Sequence, residues 1–285
     1  MVKSVLAGLL AAVILIFGSI IGADLALRST MQVDLIGTAA HAIALTQPVN
    51  KDEIVTYPFD ESYEMKGVQD EINNSVKDMV TYSEENGYWV KLENLPDSMR
   101  SIISLSDKQV GALASVILKQ EAAGQIQIKD LYMDVEIYQV EFEINEKGNT
   151  MLNSVVGINT TSFKSIIPDA FPLASIKNAI PDILYVSSTT EVIKGEEKFT
   201  YHVDHSELTI NNLSDEQTAS LVHTLDTLMG VGSAEYINVQ IGTTLMHALV
   251  GNATNKGLAY SLKDMGASDF AFVQYSDSVH FEVRR

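Results

Sequence analysis

The chain has 285 residues, 46% hydrophobic and 7% aromatic. That supplies a sizeable core and excludes wholesale disorder. Its 37 acidic residues against 19 basic ones give a formal net charge of −18, the wrong sign for a nucleic-acid partner or for broad adhesion to anionic lipid headgroups. There is no cysteine, so disulfides, thiol catalysis and zinc–thiolate sites are excluded.

The first element is "MVKSVLAGLLAAVILIFGSIIGAD", which carries no charge between Lys3 and Asp24. The 20 residues 4–23 span about 30 Å as a helix, the thickness of a bilayer's hydrocarbon core. A secretory h-region is shorter, roughly 7–15 residues, and the Ala-x-Ala pattern at Ala40 and Ala42 lies far past the apolar run. Residues 1–27 are therefore expected to be an uncleaved signal anchor, held in the cell membrane through residues 4–23. Lys3 and the amino terminus favour a cytoplasmic N-terminus, with the bulk of the chain extracytoplasmic; Arg28 opposes this only weakly. Gly18 and Gly22 form a small-xxx-small pair, a face on which two anchors can pair into a homodimer, although small residues are common in such helices.

Residues 28–70 read as a stalk or irregular arm, because Pro48, Pro58 and the acidic Asp60, Glu61 and Glu64 interrupt any periodic pattern. Within it "DEIVTYPF" could add an edge strand, limited by Pro58. An extracytoplasmic domain is expected over 71–285. From Asp70 to Ser83 the pattern is weakly helical, with Ile72, Val76, Met79 and Val80 on one side. Asn86-Gly87 marks a turn, and "YWVKLENL" reads as a strand.

"LSDKQVGALASVIL" from Leu105 returns as "LSDEQTASLVHTL" from Leu213. In the first copy Ser106 and Gln109 make a capping box, and Leu105 with Val110 has the spacing of a hydrophobic staple. Val110, Leu113, Ala114, Ile117 and Leu118 then form an amphipathic stripe. Ser214 and Gln217 repeat the box, and Leu221, Val222, Leu225 and Leu228 repeat the stripe. Thr218 replaces the partner of the staple, so the second helix start is expected to be less firmly fixed. Each helix is followed by an apparent strand, "IQIKDLYMDVEIYQVEFEI" and "EYINVQI". This suggests two related units, against the plainer reading that L-S-D-x-Q is simply a good way to begin a helix.

Two strands change phase. Leu131, Met133, Val135 and Ile137 give way to Val140, Phe142 and Ile144, and Phe199, Tyr201 and Val203 give way to Leu208 and Ile210. A one-residue slip sends every side chain to the other face, so each strand must bulge, bend or end there. Lys194-Gly195 fits a turn, and "FAFVQY" and "VHFEV" flank a hairpin at Ser276-Asp277-Ser278. The expected fold is α+β: amphipathic helices packed on a bent, mainly antiparallel sheet behind the transmembrane helix.

The segment "FKSIIPDAFPLASIKNAIPDILYV" is apolar and broken by three prolines. Ordinary core packing is one reading. The other makes Phe163, Ile167 and Phe171 the lining of an apolar, ligand-binding groove. The order of a signal anchor, an L-S-x-x-Q helix, a strand "IKDLYMDV" and an apolar stretch ending "IPDILYVSS" resembles the YpmS-like group of membrane-anchored extracytoplasmic proteins of Gram-positive bacteria. More distantly it is similar to tubular lipid-binding domains. The likeness spans about 85–210. It implies curved sheets wrapped on helices and a lipid ligand, and it assigns no functional residues.

Catalytic signatures are not found. "HVDH" gathers His202, Asp204 and His205, but His202 and His205 fall on opposite faces of a strand. His223 and His247 sit on expected helices without a carboxylate at ligand spacing. No metal and no cofactor are expected. Gly230–Ser233 reads as a helix stop and turn rather than a nucleotide fingerprint. Asp134, Glu136, Glu141 and Glu143 read as a solvated strand face. Sequons at Asn73, Asn159, Asn212 and Asn252 matter only in a glycosylating host. The expected function is thus a non-enzymatic, membrane-tethered extracytoplasmic domain that binds a lipid or lipid-linked envelope molecule. A scaffolding domain in envelope assembly comes second and an undetected hydrolase third.

Overall fold

The computed structural model describes residues 44–45, 47, 49–95, 98–122, 125–128, 131–161, 181–229, 233–254 and 256–285. The expected anchor, with Gly18 and Gly22, lies outside these residues, and so does 162–180 with Phe163, Ile167 and Phe171. Among the described residues no helix is long and apolar enough to cross a membrane. The described chain is α+β with antiparallel sheets.

The largest sheet is a five-stranded antiparallel meander: β4 (Gln125–Ile128), β5 (Leu131–Ile144), β6 (Thr150–Asn159), β7 (Ile183–Lys194) and β8 (Tyr201–Ile210), in that spatial order. Both phase changes are bulges. β5 slips against β6 between Ile137 and Gln139, and β8 skips Ser206, so that Glu207 pairs Thr189 while His205 pairs Thr190. The extra residue keeps Val135, Ile137, Val140 and Phe142 on one face, and likewise Tyr201, Val203, His205, Leu208 and Ile210. Gly157 lies across from the first bulge, where a Cβ would collide with the Tyr138 ring; a side chain there would close the space that the bulged residue needs.

The inner face of this sheet is covered by α3 (Asp107–Ala122), which packs on β5, and α5 (Ala234–Leu249), which packs on β7 and β8. Every residue of α3 from Val110 to Ile117 is buried. The expected one-sided stripe is therefore too narrow: α3 is apolar most of the way round because it lies between the sheet, α5 and a second layer. That layer is α2 (Glu61–Ser75) with the hairpin of β1 (Val80–Ser83) and β2 (Gly87–Val90). A three-stranded sheet, β3 (Ile103–Ser106), β10 (Val279–Arg284) and β9 (Asp269–Gln274), closes the end of α3, with β10 central. α4 (Asp215–Met229) follows β8 and packs on it, and a short α6 (Leu258–Ser261) precedes β9.

The stalk reading is corrected for its C-terminal part. Asp60 accepts a hydrogen bond from Tyr63 N and caps α2, and Glu61 and Glu64 sit in its first turn, where carboxylates favour the positive helix end. Met65, Val68 and Ile72 bury its inner side, so residues 61–70 belong to the folded body. "DEIVTYPF" forms no strand; Lys51–Ile54 is a single helical turn, α1.

Both capping boxes form. Ser106 N–H donates to Gln109 Oε1 at 3.0 Å, and Ser214 N–H donates to Gln217 Oε1 at 2.9 Å. The second start is not loose, because Thr218 Oγ1 accepts from Ile210 N at 3.2 Å and Asp215 Oδ1 accepts from Leu208 N at 2.9 Å. These bonds tie α4 to β8 where the first copy uses a staple. The likeness of the two units ends there, because "EYINVQI" is the first half of helix α5 and not a strand.

Candidate functional site

Three places in the described residues bring polar or exposed apolar groups together. The first is an open cleft of about 390 Å³ lined by Tyr57, Asp107, Glu141, Glu143 and Asp277, among others. Asp107 begins α3, Glu141 and Glu143 follow the bulge on the outer face of β5, and Asp277 is in the β9–β10 turn. Asp107 is 2% exposed. Its Oδ1 accepts from Tyr57 Oη at 3.2 Å and from Lys108 N at 2.8 Å. Burial raises the Asp107 carboxyl above the usual range, against the opposing pull of the Lys108 N–H and the Tyr57 hydroxyl. Burial, helped by Glu143 and Asp107, also raises Glu141. Tyr57 is pushed up to about 12 by burial and by the Asp107 charge.

Gln139 organises the cleft's outer wall. Its Oε1 accepts from Tyr57 N at 2.9 Å and its Nε2 donates to Glu141 at 3.3 Å. Gln139 and Glu141 share the outer face by the strand's alternation, and the bulge at Tyr138 brings them onto the same face as Glu136. In the sequence Glu141 and Glu143 read as a solvated strand face, and no local pattern links them to Asp107, Tyr57 and Asp277, which come from three distant segments. The cleft can accept hydrogen bonds and face a cationic group, but among the described residues no group of three His, Asp or Glu side chains is arranged to hold a metal ion.

The second place is the histidine pair. His202 Nε2 and Asp204 Oδ1 are 2.7 Å apart on the outer face of β8, while His205 points inward to α5. The bulge comes after His205, so the two rings stay on opposite faces as the strand period requires. Asn238 of α5 is fully buried. Its Nδ2 donates to Thr189 O at 2.8 Å and lies 2.7 Å from His205 Nδ1, while its Oδ1 accepts from Ser188 Oγ. The carbonyl of Thr189 can only accept, which fixes the amide's orientation and makes His205 Nδ1 the acceptor. This network fastens α5 to the sheet. Gly242 one turn on lets the helix approach Thr190 and Val203 closely.

The third place is the β1–β2 hairpin. Tyr82 and Trp89 are 57% and 53% exposed, and the Tyr82 and Tyr88 rings lie 4.9 Å apart. Trp89 borders a shallow groove of about 330 Å³ with Val90, Leu92 and Ile117. Both edges of the hairpin are closed by side-chain amides acting as short strands. On the β1 edge, Asn73 Nδ2 donates to Val80 O at 2.7 Å and Asn73 Oδ1 accepts from Val80 N at 2.9 Å. On the β2 edge, Gln120 Oε1 accepts from Val90 N at 2.9 Å and its Nε2 donates to Val90 O at 3.1 Å. A two-stranded ribbon is marginal by itself; α2 and α3 hold this one in place.

No family model matches the chain, and no curated protein or solved structure does either.

Proposed function

We propose that this chain is a non-enzymatic, membrane-tethered extracytoplasmic domain that presents the β1–β2 hairpin to a protein partner, in the manner of a scaffolding component of the cell envelope. The observation that carries this reading is Trp89: a large aromatic side chain, half exposed, on a ribbon clamped at both edges and bordered by an apolar groove. Ordering an exposed aromatic before contact lowers the entropic cost of binding, and tryptophan is the residue type most enriched at interaction hot spots. Leu113, Ile117, Val140, Leu184, Ile241 and Leu245 are packed in the core between the inner sheet face, α3 and α5. The tether rests on residues 4–23, and the resemblance to YpmS-like proteins is proposed on the same footing.

The lipid reading rests on Phe163, Ile167 and Phe171. One experiment separates the two. A photo-crosslinking residue replaces Thr81, which is exposed and pairs across the ribbon with Trp89, in the full-length chain in native membranes, and the parent protein is examined by native mass spectrometry after gentle extraction. The scaffolding reading expects one discrete protein adduct and loss of the same partner in Trp89→Ala. A stoichiometric lipid that disappears in Phe171→Ala, with no protein adduct at position 81, overturns it in favour of lipid binding.

A further inference from the structure

The outer face of the five-stranded sheet carries an apolar cluster separate from the main core. Val155 and Tyr185 are at its centre, flanked by Tyr138 and Ile183, and what covers them is the chain segment Val49, Ile54 and Val55. The same segment carries α1, a single turn of four residues capped by Asn50. One turn has no helical stability of its own, because nucleation is costly and little propagation follows. Its order comes from the sheet beneath it. Lys51 Nζ sits 4.2 Å from the Tyr138 ring centroid, Gln139 receives Tyr57 N–H, and the Tyr57 hydroxyl reaches Asp107. At both ends the chain is held in the main core instead, by Leu45 on one side and Phe59 on the other.

We propose that residues 49–57 form a releasable strap. The strap lifts from the sheet as a unit while the rest of the domain stays folded, and it uncovers two surfaces at once. One is the Tyr138–Val155–Ile183–Tyr185 patch. The other is the acid-lined cleft, which loses its Tyr57 wall. The two are coupled because Gln139 and Tyr57 join them: Gln139 follows the bulged Tyr138, accepts from Tyr57 N and donates to Glu141 on the cleft wall. Leu45 and Phe59 keep the lifted segment attached, so release needs no global unfolding. The uncovered patch pairs an aromatic ring with a carboxylate, since Tyr138 donates to Glu136 at 2.6 Å. It is shaped for what lies on it now, a cation followed by two aliphatic side chains.

Native-state hydrogen exchange on the full-length chain tests this without mutation. The strap amides of Val55 and Tyr57 are expected to exchange at least ~100-fold faster than β6 amides, with little dependence on low denaturant, as for sub-global opening. The absence of native cysteine gives an independent readout: the thiol of Val55→Cys should be labelled at least ~100-fold faster than that of Val140→Cys on the inner face of β5, the mark of local rather than global opening. Tyr57→Phe, which removes the bond to Asp107, should speed strap exchange roughly 5–10-fold, the value of one hydrogen bond, and leave β6 unchanged. Strap amides that exchange at the β6 rate with the β6 denaturant slope overturn the proposal, and so does a Tyr57→Phe variant in which both rise together.

Discussion

Gln120→Met isolates the clamp on the hairpin. Methionine keeps the length and helix propensity of glutamine and fills similar space, but it removes the acceptor at 2.9 Å from Val90 N and the donor at 3.1 Å from Val90 O. Val90 is 2% exposed, so both backbone groups would be left largely out of water. An orphaned buried donor or acceptor costs about 1–3 kcal/mol. Two of them give an upper bound of about 6 kcal/mol, but the groove beside Trp89 is open and water can reach part of the site, so the expected loss is about 2–3 kcal/mol. The loss should be local first. Trp89 is the sole tryptophan, so its fluorescence reports the hairpin while far-UV circular dichroism reports the whole domain. In urea the Trp89 transition of Gln120→Met should fall below the circular dichroism transition, whereas in the parent the two coincide. Two unchanged, coincident curves would refute the idea that a side-chain amide stands in for a strand here.

On the other edge, Asn73→Leu should cost somewhat less than the Gln120 change per lost bond, because Gln69 Nε2 also donates to Val80 O at 3.1 Å; denaturation midpoints of the Asn73, Gln69 and double variants would show coupling if this is right. Thr218→Val keeps shape but orphans the buried N–H of Ile210, and should cost about 1–3 kcal/mol. Ser106→Ala and Ser214→Ala should each cost about 1 kcal/mol, nearly equally, because the two boxes have the same geometry; a loss confined to Ser106 would refute this. Asp107 carries a raised carboxyl, so its protonated form is favoured by folding. Its contribution is present below the unfolded carboxyl value of about 3.9 and is lost as pH rises through the higher folded value. Relative to the parent, Asp107→Asn should therefore gain stability as pH rises above about 3.9, the unfolded carboxyl value, read as a melting-temperature difference that grows with pH and then levels off above the folded value; a constant difference would contradict the assignment.

Several features were legible in the sequence because local chemistry decides them. The phase changes place an irregularity between Ile137 and Val140 in β5 and between Val203 and Leu208 in β8, because a period of two cannot otherwise keep the apolar side chains on one face; that each is a bulge, at Tyr138 and at Ser206, is set by the pairing with β6 and β7. Both capping boxes follow from Ser and Gln three positions apart, and the turn at Ser276–Ser278 from its flanking alternation. The separation of His202 from His205 needed only the strand period. Other features depend on what lies beyond a short window. "EYINVQI" alternates well enough to pass for a strand. Only the longer run of Ile237, Ile241, Leu245 and Leu249 shows helical spacing, and only the sheet beneath it explains a buried Asn238. Asp60, Glu61 and Glu64 look like breakers until Asp60 is seen as a cap, with Met65, Val68 and Ile72 against α3. The acid-lined cleft joins residues 57, 107, 141 and 277, and the clamps on the hairpin pair Val80 with Asn73 and Val90 with Gln120. Contacts between α2, α3 and the hairpin are set by burying apolar faces, a non-directional force that constrains which surfaces meet without marking the polar partners in the sequence. The caps, phase changes and turns could be read from the letters. The strap, the cleft and the presented tryptophan exist only because packing brought distant segments together.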